Sequence, residues 1–198
     1  MSRVGWWVLG VIAVAVAAFL SMTSFGLSAV RIRDSIRAVE PRVVAAPSRG
    51  GDALIVPVAG IARGDLRDDW GDPREGGTRV HHGTDIPAPA RTMVVAAAAG
   101  TVEKLFHSVR GGTTLYVRSR DRRWTYYYAH LAGYAANIRE GSTVKAGDPL
   151  GYVGDTGDAG VGNFHLHFGL TRMRPEEHWW QGEDIDPYPL LAAGHLPG

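Results

Sequence analysis

From residue 53 onward, the chain consists of short apolar or alternating runs that glycine-rich turns separate. Alternation with a period of two is typical of β-strands, whose successive side chains point to opposite faces. Many short strands joined by turns predict an all-β fold, an antiparallel sandwich or an open barrel. The predicted strands cover 54–58, 101–106, 114–118, 124–130, two short segments within 144–153, and 163–170.

The ends of the chain have a different pattern. No charged residue occurs from Val4 to Val30, and about 20 apolar residues suffice to cross a bilayer as a helix. No clear small-x-small cleavage site follows this segment, so we favour an anchor over a cleaved signal. We predict a transmembrane anchor over 1–30, a linker over 31–52 and one globular domain over 53–198. Asp186 followed by Pro187 predicts a short helix over 187–193.

Composition narrows the functional classes. The formal net charge is +1, and no run of lysine and arginine is long enough to follow a phosphate backbone, so we expect no nucleic-acid partner. The chain has no cysteine, which excludes disulfides, thiolate zinc sites and a catalytic cysteine. Any zinc site must therefore use histidine, aspartate or glutamate.

Two segments carry side chains suited to metal binding. The strand over 163–170 places His165 and His167 on one face and its apolar residues on the other. Upstream, His81 and Asp85 are four residues apart, with Gly83 between them. With one histidine of the strand, they supply the two imidazoles and one carboxylate of a catalytic zinc site. Each segment alone is more typical of an ordinary strand or turn than of a metal site.

Five motifs occur in order along the chain. They are His-x-Gly-x-Asp at 81–85, Tyr-Ala-His-Leu at 128–131, Gly-x-x-Val-x-x-Gly-Asp at 141–148, Gly-x-x-Gly-x-Thr-Gly at 151–157 and His-Leu-His-Phe at 165–168. This set closely resembles the lysostaphin/LytM-type zinc metallopeptidases, which cut peptide bonds in bacterial peptidoglycan. The resemblance implies a fold of the duplicated hybrid motif type and a membrane-anchored, zinc-dependent endopeptidase. One turn departs from the family pattern, because Arg91-Thr92 stands where Gly-Thr is usual.

The resemblance also implies a set of site residues. It makes His81, Asp85 and His167 the ligands of Zn²⁺, and His130 and His165 the catalytic histidines that do not bind the metal. An imidazole beside an activated water takes its proton, and a second imidazole donates to the developing oxyanion. We assign the base role to His165 and the stabilising role to His130, and the reverse assignment stays open.

Two other functions compete with this one. A regulator that binds cell-wall peptide or another hydrolase without cutting is the main alternative, because degenerate family members act as activators; the intact ligand set favours an enzyme. Biotinyl and lipoyl carrier domains have a sequence pattern similar to that of 144–153. In those carriers the modified lysine occupies a hairpin tip, whereas Lys145 precedes the Gly-Asp turn, which argues against a carrier. The bond that is cut, the oligomeric state and any activating partner stay open.

A peptidoglycan substrate also bears on location. Arginines at 31, 33, 37 and 42 follow the apolar segment and only Arg3 precedes it, so the positive-inside rule favours a cytoplasmic domain. That rule is weak for large translocated domains, and we predict a domain on the periplasmic or cell-wall side.

We expect Trp179-Trp180 to form a hydrophobic lid, with a glycan-stacking edge as the alternative. His82 is expected to point away from the metal site, and Tyr127 to face opposite to the tyrosines beside it.

Overall fold

The computed structural model describes residues 53–197. The predicted anchor and linker lie outside this range. Within it, no helix is long and apolar enough to cross a membrane. The strands are β1 Pro73–Arg74, β2 Arg79–Val80, β3 Thr84–Pro87, β4 Met93–Val95, β5 Gly100–Ser108, β6 Gly112–Ser119, β7 Trp124–Tyr134, β8 Thr143–Val144, β9 Pro149–Val153, β10 His165–Arg172 and β11 Glu183–Ile185, and the helix is α1 Tyr188–Ala193.

Nine of these strands form one branched antiparallel sheet. Its main order is β11-β10-β7-β6-β5-β8, while β3 pairs with β10, β9 with β7 and β4 with β9. Strands β1 and β2 form a separate two-stranded ribbon directly before β3. The predicted all-β antiparallel fold is confirmed, and the ribbon and β3 carry the first half of the candidate site into contact with the large sheet.

The core lies on one face of the central strands. Leu166, Phe168, Tyr126 and Tyr128 are buried, and the Ala97 N–H donates to the Tyr128 hydroxyl at 2.9 Å. Burial of one large apolar side chain stabilises the fold by roughly 1.5–3 kcal/mol. This face holds β6, β7 and β10 in fixed register and leaves their other face free for polar side chains. The predicted alternation of the tyrosines in β7 is confirmed.

Some elements differ from the predicted ones. The segment over 54–58 forms only isolated bridges, Ala53 with His195 and Val58 with Val94, although it contributes Leu54 to the core. Proline has no N–H to donate to a ladder, and Pro57 lies within this segment. Strand β7 continues past its predicted end at His130 as far as Tyr134.

The C-terminal helix is close to its predicted range. It begins one residue later than expected, at Tyr188, whose N–H donates to the Asp186 carboxylate at 2.9 Å. It ends at Gly194, where φ is 83° and a side chain would be strained. The helix therefore depends on the local signals that the sequence displays.

Candidate metal centre

Three neighbouring strands position the candidate site. Strand β10 lies between β3 and β7, and its register places His167 opposite Asp85 on one side and opposite Ala129 on the other. His81 lies just before β3, where its N–H donates to the Asp72 carbonyl at 2.9 Å. Residues far apart in sequence therefore converge on one face of the sheet.

Three of the predicted residues converge on one point. His81 Nε2 lies 2.9 Å from His167 Nδ1, and each of these nitrogens lies 3.0 Å from Asp85 Oδ1. His81 is 4% exposed, and the side chains of the other two are less than one fifth exposed. Such a set of two ring nitrogens and one carboxylate oxygen suits a metal ion.

Backbone and side-chain contacts fix the orientation of these donors. His81 Nδ1 lies 2.8 Å from the Asp69 carbonyl, so Nδ1–H donates there and Nε2 faces the cluster as a lone pair. Arg74 donates to Asp85 Oδ2 at 2.7 Å, which turns Oδ1 toward the histidines. The Asp69 carboxylate also accepts the Asp85 N–H at 3.2 Å. Outer contacts of this kind set the tautomer and position of metal ligands.

The electrostatics favour an ionised carboxylate at Asp85. Burial opposes protonation of His81, but its hydrogen bond with Asp85 and the charge of that carboxylate outweigh burial and raise the pKa of His81. Burial opposes ionisation of Asp85, but hydrogen bonds with His167 and His81 outweigh it and hold the pKa of Asp85 well below its usual range. Burial lowers the pKa of His167. Two ring nitrogens and one carboxylate oxygen that lie 2.9–3.0 Å from one another form a donor set that suits a shared cation.

The other two predicted histidines lie beside this cluster. The rings of His130 and His165 have their centroids 4.9 Å apart, and both side chains are nearly buried. His130 Nδ1 lies 2.7 Å from the Thr156 carbonyl and His165 Nδ1 lies 2.8 Å from the Asn163 carbonyl. Each Nδ1–H therefore donates to a backbone oxygen, and each Nε2 is left as an acceptor when the ring is neutral. Burial lowers the pKa of His130 to about 4.

The glycine-rich loop before β10 supports His130. The Thr156 hydroxyl donates to the Leu131 carbonyl at 2.9 Å and accepts the Thr113 N–H at 3.0 Å. Its own carbonyl is thereby held against the His130 ring. The sequence motif contained Thr156 but assigned it no role. Asp69 and Arg74 were missed altogether, because they lie outside the motifs that were recognised.

Charged residues form the rim of the cavity above the five side chains, which has a volume of about 260 Å³. Arg79 contacts Asp158 at 3.1 Å and Glu75 at 3.2 Å. The cavity is therefore polar and accessible from solvent. His82 lies outside this cavity, 3.2 Å from Asp184, so its predicted orientation away from the cluster is confirmed.

The fold and this cluster together define a metallopeptidase-like site on an antiparallel sheet. The model of peptidase family M23 matches residues 79–187, which is more than half of the chain and includes all five of these histidine and aspartate residues. The chain belongs to peptidase family M23.

Individual relatives agree with this assignment. An L-Ala–D-Glu endopeptidase of Bacillus subtilis is 36% identical over 133 residues, which are 64% of this chain and 39% of the relative. A peptidoglycan DD-endopeptidase, ShyC of Vibrio cholerae, is 34% identical over 96 residues, which are 48% of this chain and 21% of the relative. The matched region is thus well under half the length of either relative.

A solved structure shares the fold. The catalytic domain of lysostaphin from Staphylococcus simulans superposes with a TM-score of 0.53 at 27% sequence identity. The match covers 64% of this chain and 90% of the lysostaphin domain. The shared region is therefore nearly a whole catalytic domain in lysostaphin.

Proposed function

We propose that this protein is a zinc-dependent endopeptidase that hydrolyses peptide bonds in peptidoglycan cross-links. The observation that carries the proposal is the convergence of His81 Nε2, His167 Nδ1 and Asp85 Oδ1 within 3.0 Å of one another. Membership of family M23 supports the reaction, as do two relatives that are endopeptidases, one of them a peptidoglycan DD-endopeptidase.

The donor set fits zinc. Two nitrogens and one oxygen are the ligands of many catalytic zinc sites, which keep a fourth position open. Ligand atoms around a tetrahedral zinc stand roughly 3.3 Å apart, so the donors need to separate by only a few tenths of an ångström. Bound zinc would supply Lewis-acid chemistry, polarising the scissile carbonyl and acidifying water.

His130 and His165 move the protons in this proposal. Both present an unprotonated Nε2 to the cavity when neutral, so either one can accept a proton from the attacking water. The same imidazolium then donates to the leaving amine. The oxyanion role of His130 requires a protonated ring, which its pKa of about 4 opposes. The same low pKa makes His130 a weak base, so it supports neither assignment of the two roles.

We also propose that residues 1–30 anchor the protein in the membrane, with the catalytic domain outside the cytoplasm. The uncharged segment over 4–30 supports the anchor, and the location of peptidoglycan supports the orientation. The names of the two relatives specify different bonds, so the experiment must determine which bond is cut.

The test uses the full chain in detergent, loaded with zinc and incubated with purified sacculi of several cross-link chemistries. Mass spectrometry of the released fragments identifies the cleaved bond. We expect cleavage that a chelator abolishes and zinc restores, and that His165→Ala abolishes although the variant still binds one equivalent of zinc. A protein that binds zinc but cleaves no sacculus would instead match the regulatory alternative, and one that binds no zinc would refute the metal assignment.

A further inference from the structure

A second groove adjoins the candidate metal centre. Its volume is about 490 Å³, within the range of roughly 300–1,000 Å³ usual for small-ligand sites. Tyr127 and His167 line both this groove and the metal-site cavity, so the two are continuous. The exposed indole of Trp180 and the carboxylate of Asp184 lie on its walls.

A row of packed aromatic rings builds the groove. Tyr127 packs against Tyr116 with ring centroids 4.7 Å apart, and Tyr116 packs against Trp179 at 4.8 Å. Trp179 also packs against Phe106 at 5.3 Å. These rings lie on the face of the sheet opposite the core, so Trp179 covers the outer face, and the predicted lid over the core is wrong.

Trp180 differs from its neighbour because it stays exposed. Its indole is 62% exposed, and one ring face stacks on His178 with centroids 4.5 Å apart and an interplanar angle of 3°. Trp179 also packs against the Trp180 ring at 5.4 Å with an interplanar angle of 83°, so the exposed area is the remainder of the indole. A buried arginine holds this segment, since Arg118 donates to the Glu177 carbonyl at 2.9 Å. The ring is thus presented to the groove on a fixed backbone.

Polar groups also line the groove that contains this ring. The Asp184 carboxylate accepts the Thr171 hydroxyl at 3.1 Å and contacts His82 Nδ1 at 3.2 Å, which fixes its orientation. Gln181 also lines the groove, and its side-chain oxygen accepts the His178 N–H at 2.8 Å. A flat apolar face beside oriented amide and carboxylate groups matches a ligand that has an apolar ring face and hydroxyl groups at its edges.

The strands that form the floor of the groove offer no free edge. Peptides bound as added strands need a free sheet edge. Here the floor is formed by β6, β7 and β10, and each of these strands is paired on both sides. The binding groups on this floor are side chains, which suit a carbohydrate, and the lining strands with one unpaired edge, β2 and β11, contribute only Arg79, Val80 and Asp184 to the lining.

We propose that this groove binds the glycan strand of peptidoglycan, with Trp180 packing on an N-acetylated sugar while the attached peptide enters the metal site. This inference rests on the proposed function for its substrate. Continuity through Tyr127 and His167 is what allows one molecule to occupy both places. The protein then prefers peptides that still carry their sugars.

Two measurements test the inference separately from catalysis. The first is calorimetric titration of the full chain in detergent with an N-acetylglucosamine oligosaccharide that carries no peptide. We expect wild-type binding that Trp180→Ala weakens roughly tenfold and Trp180→Phe largely restores. Val161→Ala is the control, because Val161 is fully exposed and lies outside the groove lining. Absence of wild-type binding, or equal weakening in the control, overturns the inference.

The second measurement compares kcat/KM for one cross-linked peptide with and without its disaccharides. The wild-type ratio should exceed one and fall to about one in Trp180→Ala, through KM. Cleavage of both substrates at equal rates by the wild type leaves the proposed function standing and overturns the glycan site. Oligosaccharide binding without cleavage of any substrate supports the glycan site and refutes the proposed function.

Discussion

Gly83 allows the closest packing in the candidate metal centre, and replacing it tests how that centre is built. A Cβ at this position would lie 2.5 Å from His167 Cε1 and 2.9 Å from the Phe168 carbonyl oxygen. Ordinary contacts of a Cβ are 3.4–4 Å. In Gly83→Ala the imidazole must shift by about 1 Å, or β3 and β10 must move apart, because the second neighbour is backbone.

Both responses have a measurable magnitude. Forcing a methyl group into a packed site costs about 1–3 kcal/mol of unfolding free energy. Displacing His167 also separates its Nδ1 from Asp85 Oδ1, now 3.0 Å away, and we expect zinc affinity to fall roughly 10–100-fold, the range known for disturbed ligand support. Urea unfolding of the zinc-free protein gives the first quantity, and competition with a chromophoric chelator gives the second.

Gly133→Ala is the matched control. Gly133 also lies in the central sheet, and a Cβ added there meets nothing within 4 Å. Its expected effect on stability is a gain of about 0.4–1 kcal/mol or no change, because alanine restricts the unfolded chain. Equal stability and equal zinc affinity of Gly83→Ala and the wild type would refute the packing argument, as would equal losses in the two variants.

Two other predictions concern residues that support the site. Thr156→Val removes two hydrogen bonds beside the His130 ring. We therefore expect the unfolding free energy to fall by about 1–3 kcal/mol and kcat/KM on peptidoglycan fragments to fall as well, whereas Thr156→Ser retains both hydrogen bonds. Urea unfolding and cleavage kinetics measure these effects, and a serine variant as impaired as the valine one would contradict the assigned role. Arg118→Leu removes the guanidinium that binds the Glu103 carboxylate at 2.6 Å and leaves this carboxylate only its longer contact with Arg122 at 3.7 Å, so we expect a loss of about 1.5–3 kcal/mol in unfolding free energy. The exposed Arg120→Leu is its control, and a loss below about 1 kcal/mol in urea unfolding would show that the pair is dispensable.

The large strands were predictable because one physical rule governs them. Strands β5, β6, β7 and β10 have one face in the core, so their side chains alternate with a period of two. The short strands β1, β2, β3 and β11 have two to four residues each, too few to show a period. Their pairing is set by the neighbours they meet, which no local pattern records.

The same contrast applies to the site. The five candidate site residues were identifiable because their motifs occur in family order, and the structure brings all five together. They are His81, Asp85, His130, His165 and His167. Asp69 and Arg74 orient the donors of the candidate metal centre through a backbone carbonyl and a single guanidinium contact. Such contacts depend on how the ribbon of β1 and β2 folds back onto β3, so neither residue type nor spacing reveals them.

His130 shows that the site shapes the fold locally. Its φ is 59°, a left-handed conformation that costs a residue other than glycine roughly 1–3 kcal/mol. The register between β6 and β7 shifts beside it, between Thr113 and Leu115. The strained backbone is held by the His130 N–H, which donates to the Gly111 carbonyl at 2.8 Å, and by the ring contact with Thr156. Glycine would relieve the strain but present no imidazole, so this position is explained by the chemistry of the cavity rather than by the stability of the sheet.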